Sequence, residues 1–204
     1  MNYQIVLEET LKNLKGVPKL LLHVCCAPCS SYVLEYLANY FEITVFYYNP
    51  NIDTEEEYEK RINESMRFTK EFKTKYPVHF VGLSHLQEEY EKVIKGLEQE
   101  KEGGLRCFEC YRLRLEKACL YAKENNFDYF TTTLTISPLK NSKKINEIGS
   151  ELEREYNIKY LYSDFKKKEG YKRSIVLSSE YNLYRQDYCG CKYSKRERIK
   201  THNV

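Results

Sequence analysis

Tryptophan is absent from this 204-residue chain, and methionine (2), histidine (4), proline (5) and glycine (8) are scarce. No apolar run reaches the roughly 18 residues of a membrane span, so no segment reads as crossing a bilayer. The opening residues, MNYQIVLEETLKN, carry acidic side chains and no apolar core. They do not read as a secretion signal, and the expected location is the cytoplasm. Neither GxGxxG nor GxxxxGK[ST] occurs, so phosphate-loop nucleotide chemistry is disfavoured. Histidine is limited to His23, His79, His85 and His202, and His23, inside an apolar run, reads as a core residue. There is no internal repeat, low-complexity tract or linker. With 42% hydrophobic and 31% charged residues, the expectation is one globular domain over residues 1–204.

Cysteine is what the chain has in quantity. Seven of its eight cysteines fall in three tight groups: Cys25-Cys26-Ala27-Pro28-Cys29, Cys107-Phe108-Glu109-Cys110 and Cys189-Gly190-Cys191. In a reducing compartment such groups are more often metal-binding or catalytic than structural disulfides. Pro28 suits a first helical turn, which places Cys29 near a helix N-terminus, where the dipole should lower its pKa. Cys25 and Cys26 leave a strand in opposite directions unless the turn bends them together. Cys107-x-x-Cys110 has the chelating spacing of zinc ribbons and iron–sulfur sites, but supplies only two of four ligands, and the first group is the obvious donor of the rest. An all-thiolate set favours zinc or an iron–sulfur cluster over copper or hard cations. Between Cys189 and Cys191, Gly190 permits unusual torsions. The pair suits either a strained, readily reduced disulfide or two ligands to one metal. Cys119, on an apolar helical face with Leu115 and Ala122, reads as core.

Strand and helix patterns alternate. Strands are expected at 20–24, 41–48, 77–83, 127–136 and 158–162. Helices are expected at 30–39 with Ser30 or Ser31 as N-cap, from a Thr54 cap to 73, and at 85–100, 111–125 and 142–156. Repeated β-α units predict an α/β fold: a mostly parallel sheet with helices on both faces and right-handed crossovers, followed by a helical, cysteine-bearing C-terminal region. The first cysteine group then sits at the sheet mouth, where ligands bind. Thr131, Thr132, Thr133, Ser137, Pro138 and Lys140 lie near the end of the fourth strand and read either as phosphate or ribose contacts or as β-branched filler. Tyr47, Tyr48, Tyr184 and Tyr188 are candidates to stack a base. Residues 159–204 hold 12 Lys/Arg against 5 Asp/Glu, a local +7 against −4 for the remainder. Lys166-Lys167-Lys168, Lys172-Arg173 and Lys192, Lys195, Arg196, Arg198 and Lys200 make up the excess, which reads either as a nucleic-acid surface or as a solvated lysine-rich face.

The stretches LLLHVCCAPCS, FYYNPNI, EYEKRI, CFECYRLRLEKA, FTTTLTISPLKN, YSDFKKKEGYKRS and LSSEYNLYRQDYCGCKYS run through nearly the whole chain. In them it resembles the QueH family of epoxyqueuosine reductases. The resemblance implies a Rossmann-like fold related to adenine-nucleotide α-hydrolases. It implies reduction of the epoxide on the modified wobble base of tRNA to the alkene, the last step of queuosine formation. It also implies a [4Fe–4S] cluster without cobalamin. Its ligands would be Cys25, Cys26, Cys107 and Cys110, with Cys189 and Cys191 a redox-active pair. Cys29, facing the pocket, joins them as a catalytic candidate, and a second iron near Cys29 and the CGC pair is compatible with the same set. The partners would be tRNA carrying epoxyqueuosine and an unidentified electron donor, with no membrane. Asp53, Asp164, Asp187 and several tyrosines are candidate proton donors. Two rival readings are a zinc-stabilised nucleic-acid-binding protein, which leaves the CGC pair idle, and a general thiol–disulfide oxidoreductase.

Overall fold

A computed structural model describes the backbone of residues 1–202 and the side chains of residues 1–199; the side chains of Lys200 and His202, both noted above, lie outside the described residues. Its centre is a five-stranded sheet of β1 (Lys19–His23), β2 (Glu42–Tyr47), β3 (Val78–Gly82), β4 (Tyr129–Thr132) and β5 (Lys159–Tyr160), in the order β3-β2-β1-β4-β5. Every pairing is parallel, with His23 of β1 in register with Phe46 on one side and Thr132 on the other. The helices are α1 (Tyr3–Lys12), α2 (Ala27–Leu37), α3 (Glu55–Glu71), α4 (Gln87–Val93), α5 (Leu105–Glu124), α6 (Ser142–Tyr156), α7 (Gly170–Glu180) and α8 (Lys192–His202).

Side-chain alternation in the strands explains the layers. Leu20 and Leu22 of β1, with Ile43 and Val45 of β2, face a cluster that includes Leu7 of α1, Val33, Leu34 and Leu37 of α2 and Phe68 of α3. Leu21, Phe46 and Phe130 point the other way, onto Leu115 and Ala118 of α5 and Ile148 and Leu152 of α6. The chain enters the sheet at its middle, winds outward to β3, then crosses to β4 and β5 on the other side. The strand order therefore reverses between β1 and β4, and the carboxyl ends of those two strands open the crevice in which ligands of such sheets bind.

Several boundaries differ from the sequence expectations, each for a local reason. The helix after β1 begins at Ala27, not Ser30, with Cys26 as N-cap and Pro28 in the first turn. Ser30 and Ser31 do not cap it; their hydroxyls donate to the carbonyls of Ala27 and Pro28, both at 2.9 Å. α5 starts at Leu105, six residues early, so Cys107 and Cys110 lie within it, one turn apart on one face. The expected 85–100 helix is the short α4, followed by turns in which Gly96 has φ +84. The fourth strand ends at Thr132 because its hydroxyl accepts from the Leu134 amide, which turns the chain into a 3-10 segment, Thr133–Ile136. Thr54 caps α3 as expected, accepting from the Glu57 amide at 3.2 Å.

A candidate metal centre and cleft at the sheet switch point

The turn after β1 does bend its thiols together. The Sγ atoms of Cys25, Cys26 and Cys29 all lie within 4.8 Å of one another, and those of Cys25 and Cys26 are 3.9 Å apart. Cys25 leaves the end of β1, Cys26 is extended at the N-cap, and Cys29 is the third residue of α2. Hydrogen bonds from Cys26 and Cys29 pull the Cys25 thiol well below its ordinary range. The same bonds, with burial, push Cys26 and Cys29 up. This corrects the expected dipole-lowered Cys29: three thiols at this spacing share one ionisation, and Cys25 takes it. The neighbouring β4 end contributes Thr133, whose Oγ1 accepts from the Cys25 amide at 3.4 Å and lies 3.7 Å from its sulfur.

Cys25, Cys26, Cys29 and Cys189 line a cleft of about 370 Å³, walled by Ser137, Pro138, Leu139 and Lys140 after β4, Tyr171 and Ser174 of α7, and Arg185, Gln186, Asp187 and Tyr188. A small adjoining cavity is lined by Cys107, Cys110, Cys189 and Cys191 with Tyr90, Arg106 and Tyr111. Cys189 is common to both. The seven clustered thiols thus line two cavities that share Cys189, and all eight cysteines are free in this structure. Burial pushes Cys110 up to about 12, and Arg114 opposes that. The CGC turn is held by backbone. The Cys189 amide donates to Ser194 Oγ at 3.1 Å, its carbonyl accepts from Arg61 at 3.3 Å, and the Gly190 carbonyl accepts from the Asp53 amide at 2.9 Å. Gly190 has φ +122, and a Cβ there would stand 3.1 Å from the Arg61 guanidinium, so glycine is required.

Two cations face the thiols. Lys140 is in the cleft wall; burial opposes its charged form, and the neighbouring cysteine sulfurs favour it. Arg114, 1% exposed, approaches from beneath. The other sequence candidates divide clearly. His23 is a core residue, between Thr132 Oγ1 at 2.8 Å and the Tyr48 carbonyl at 3.2 Å, and burial beside Arg114 lowers its pKa to about 3. Cys119 is buried, as expected. Tyr47 and Tyr48 are fully buried and cannot stack a base. Tyr184 has Lys60 over its ring at 3.8 Å, and only Tyr188 of the four reaches the cleft. Thr131 donates to the Leu161 carbonyl and is strand filler. Of the three aspartates, only Asp187 lines the cleft; Asp53 pairs with Lys195 at 3.7 Å and Asp164 with Lys166 at 3.1 Å. Sequence reading missed Arg114, Arg185, Gln186 and Tyr171. Arg114 had a signal, since it lies one helical turn beyond Cys110 on the same face.

Over most of its length the chain matches known proteins of one family. The family model described as epoxyqueuosine reductase QueH matches residues 20–197. The epoxyqueuosine reductase QueH of Streptococcus pyogenes serotype M1 is 45% identical over 201 residues, covering 96% of this chain and 79% of that one. That of Staphylococcus epidermidis is 42% identical, covering 95% and 84%. That of Thermotoga maritima is 34% identical, covering 89% and 93%. The matched span contains all seven clustered cysteines, and on this evidence the chain belongs to the QueH family of epoxyqueuosine reductases.

Proposed function

We propose that this chain is the oxidoreductase that converts epoxyqueuosine to queuosine at the wobble position of tRNA, the last step of queuosine formation, in the cytoplasm and without cobalamin. The observation that carries this reading is a thiol-floored cleft at the switch point of the sheet, in a member of that family. The donor set is purely thiolate, and Arg114 is buried against it with no carboxylate partner among the described residues, which fits an anionic metal–thiolate group. Cys25, Cys26, Cys107 and Cys110 would hold a [4Fe–4S] cluster. When bound, it supplies single electrons and a Lewis-acidic iron. The close grouping of Cys25, Cys26 and Cys29 also suits a second, single iron.

The chain's own groups account for the rest. Opening the epoxide to the alkene takes two electrons and two protons and releases water. Cys189 and Cys191, in going from dithiol to disulfide, yield two electrons and two protons, and an external donor must then re-reduce them. Asp187 stands in the cleft wall to hand a proton to the departing oxygen. Tyr188 and Tyr171 line the same wall as aromatic contacts for the base, and Lys140 and Arg185 present positive charge for the tRNA backbone. The test is nucleoside analysis of epoxyqueuosine-containing tRNA after anaerobic incubation with reduced protein and an artificial low-potential donor. Loss of the epoxide and gain of queuosine are expected, with no activity in Cys29→Ala. An untouched epoxide with fully metal-loaded, reduced protein would refute the function.

A further inference from the structure

Arg114 is a buried cation without a counter-ion. It lies in α5, and among the described residues no carboxylate is within ion-pairing distance. Its Nη2 donates to Asn49 Oδ1 at 2.6 Å, its Nε to His23 Nε2 at 3.3 Å, and its Nη1 approaches Cys110 Sγ at 3.9 Å. Two of these partners are neutral and themselves pinned. Asn49 donates to the Val24 carbonyl at 2.9 Å, and the His23 ring is held between Thr132 Oγ1 at 2.8 Å and the Tyr48 carbonyl at 3.2 Å. The guanidinium is thereby fixed in orientation but not neutralised. A charge held out of water without an opposite charge is strongly unfavourable. The thiol centre begins at Cys110, 3.9 Å from Nη1, with Cys25 and Cys189 beyond it.

We propose that Arg114 is the positioning residue that sets the reduction potential of the thiolate centre: a permanent positive charge, held by Asn49 and His23, that favours the more negative, reduced state. It never touches substrate and acts through Cys110. This rests on the reading that a reducible metal–thiolate group occupies the site. Adding one electron adds one negative charge there, and a fixed cation at close range in a dry interior stabilises that charge far more than a solvated one would.

The experiment is a redox titration of substrate-free, metal-reconstituted full-length protein, with iron and sulfide quantified in each variant. In Arg114→Met, removal of the charge should shift the reduction equilibrium about tenfold against the reduced state, a midpoint lower by about 59 mV for a one-electron couple. Asn49→Asp keeps Arg114 and nearly the same volume but sets a carboxylate on the guanidinium, so it should shift the same way even if Arg114→Met does not fold. Arg114→Lys, which keeps the charge, should stay within about threefold of the parent. An unmoved midpoint in fully loaded Asn49→Asp or Arg114→Met overturns the inference and leaves the function standing. A parent protein with no reducible metal overturns the inference and the cofactor reading together.

Discussion

Seven thiols share the carboxyl edge of this sheet, yet their surroundings differ enough to separate their tasks. Cys107 and Cys110 stand on a rigid helix, one turn apart, as chelating ligands should. Cys107→Ala and Cys110→Ala are each expected to lose most of the iron and acid-labile sulfide of anaerobically prepared protein. Stoichiometric zinc without sulfide in the parent would sink that assignment. Cys189 and Cys191 flank a glycine on a backbone-anchored turn outside the helices. Cys189→Ser or Cys191→Ser should therefore stop turnover while most of the iron stays bound. If either change strips the metal, these residues are ligands and not a redox pair.

At the scale of elements, the site depends on how closely helices approach the sheet. α6 packs on β5 through Gly149, where a Cβ would stand 2.4 Å from the Tyr160 ring. Gly149→Ala should destabilise the fold by about 1–3 kcal/mol, read as a lower denaturant midpoint, because neither backbone nor ring has room to move. A stability equal to the parent's would mean that α6 floats on the sheet. The start of α2 matters in a different way. Its N-cap is a cysteine with no capping hydrogen bond from its side chain, so the first turn is closed by Pro28 geometry and leaves the sulfur to the site.

Over the whole molecule, the basic excess of the C-terminal third is not one free surface. Lys168 is paired with Glu8, Lys172 with Glu169, Arg173 with Glu35 and Glu180, and Lys192 with Glu91. Arg185 instead lines the cleft with an exposed side chain. Binding of tRNA should weaken steeply with salt, and Arg185→Gln should flatten the slope by about one phosphate contact. Lys168→Gln should change it little, since that lysine already has its anion. The reverse ranking of the two slopes would move the tRNA surface to the lysine run.

Much of this was legible along the chain. Apolar alternation in β1 and β2, the Thr54 cap and the 142–156 helix follow from local chemistry, which is why expectation and structure agree there. The three cysteine groups and the buried roles of His23 and Cys119 follow from residue type and spacing for the same reason. Where competing local signals met, reading faltered: Ser30 and Ser31 look like caps, but Pro28 upstream had already begun the helix. Tertiary structure alone decided which groups meet. Burial of Tyr47 and Tyr48 removed two base-stacking candidates, Cys189 lines both cavities, and Asp187 alone of the three aspartates lines the cleft. Such choices depend on crossovers that bring residues 25, 114, 140 and 189 to one sheet edge. No local periodicity records contacts between residues so distant along the chain, nor the cost of leaving Arg114 uncompensated inside it.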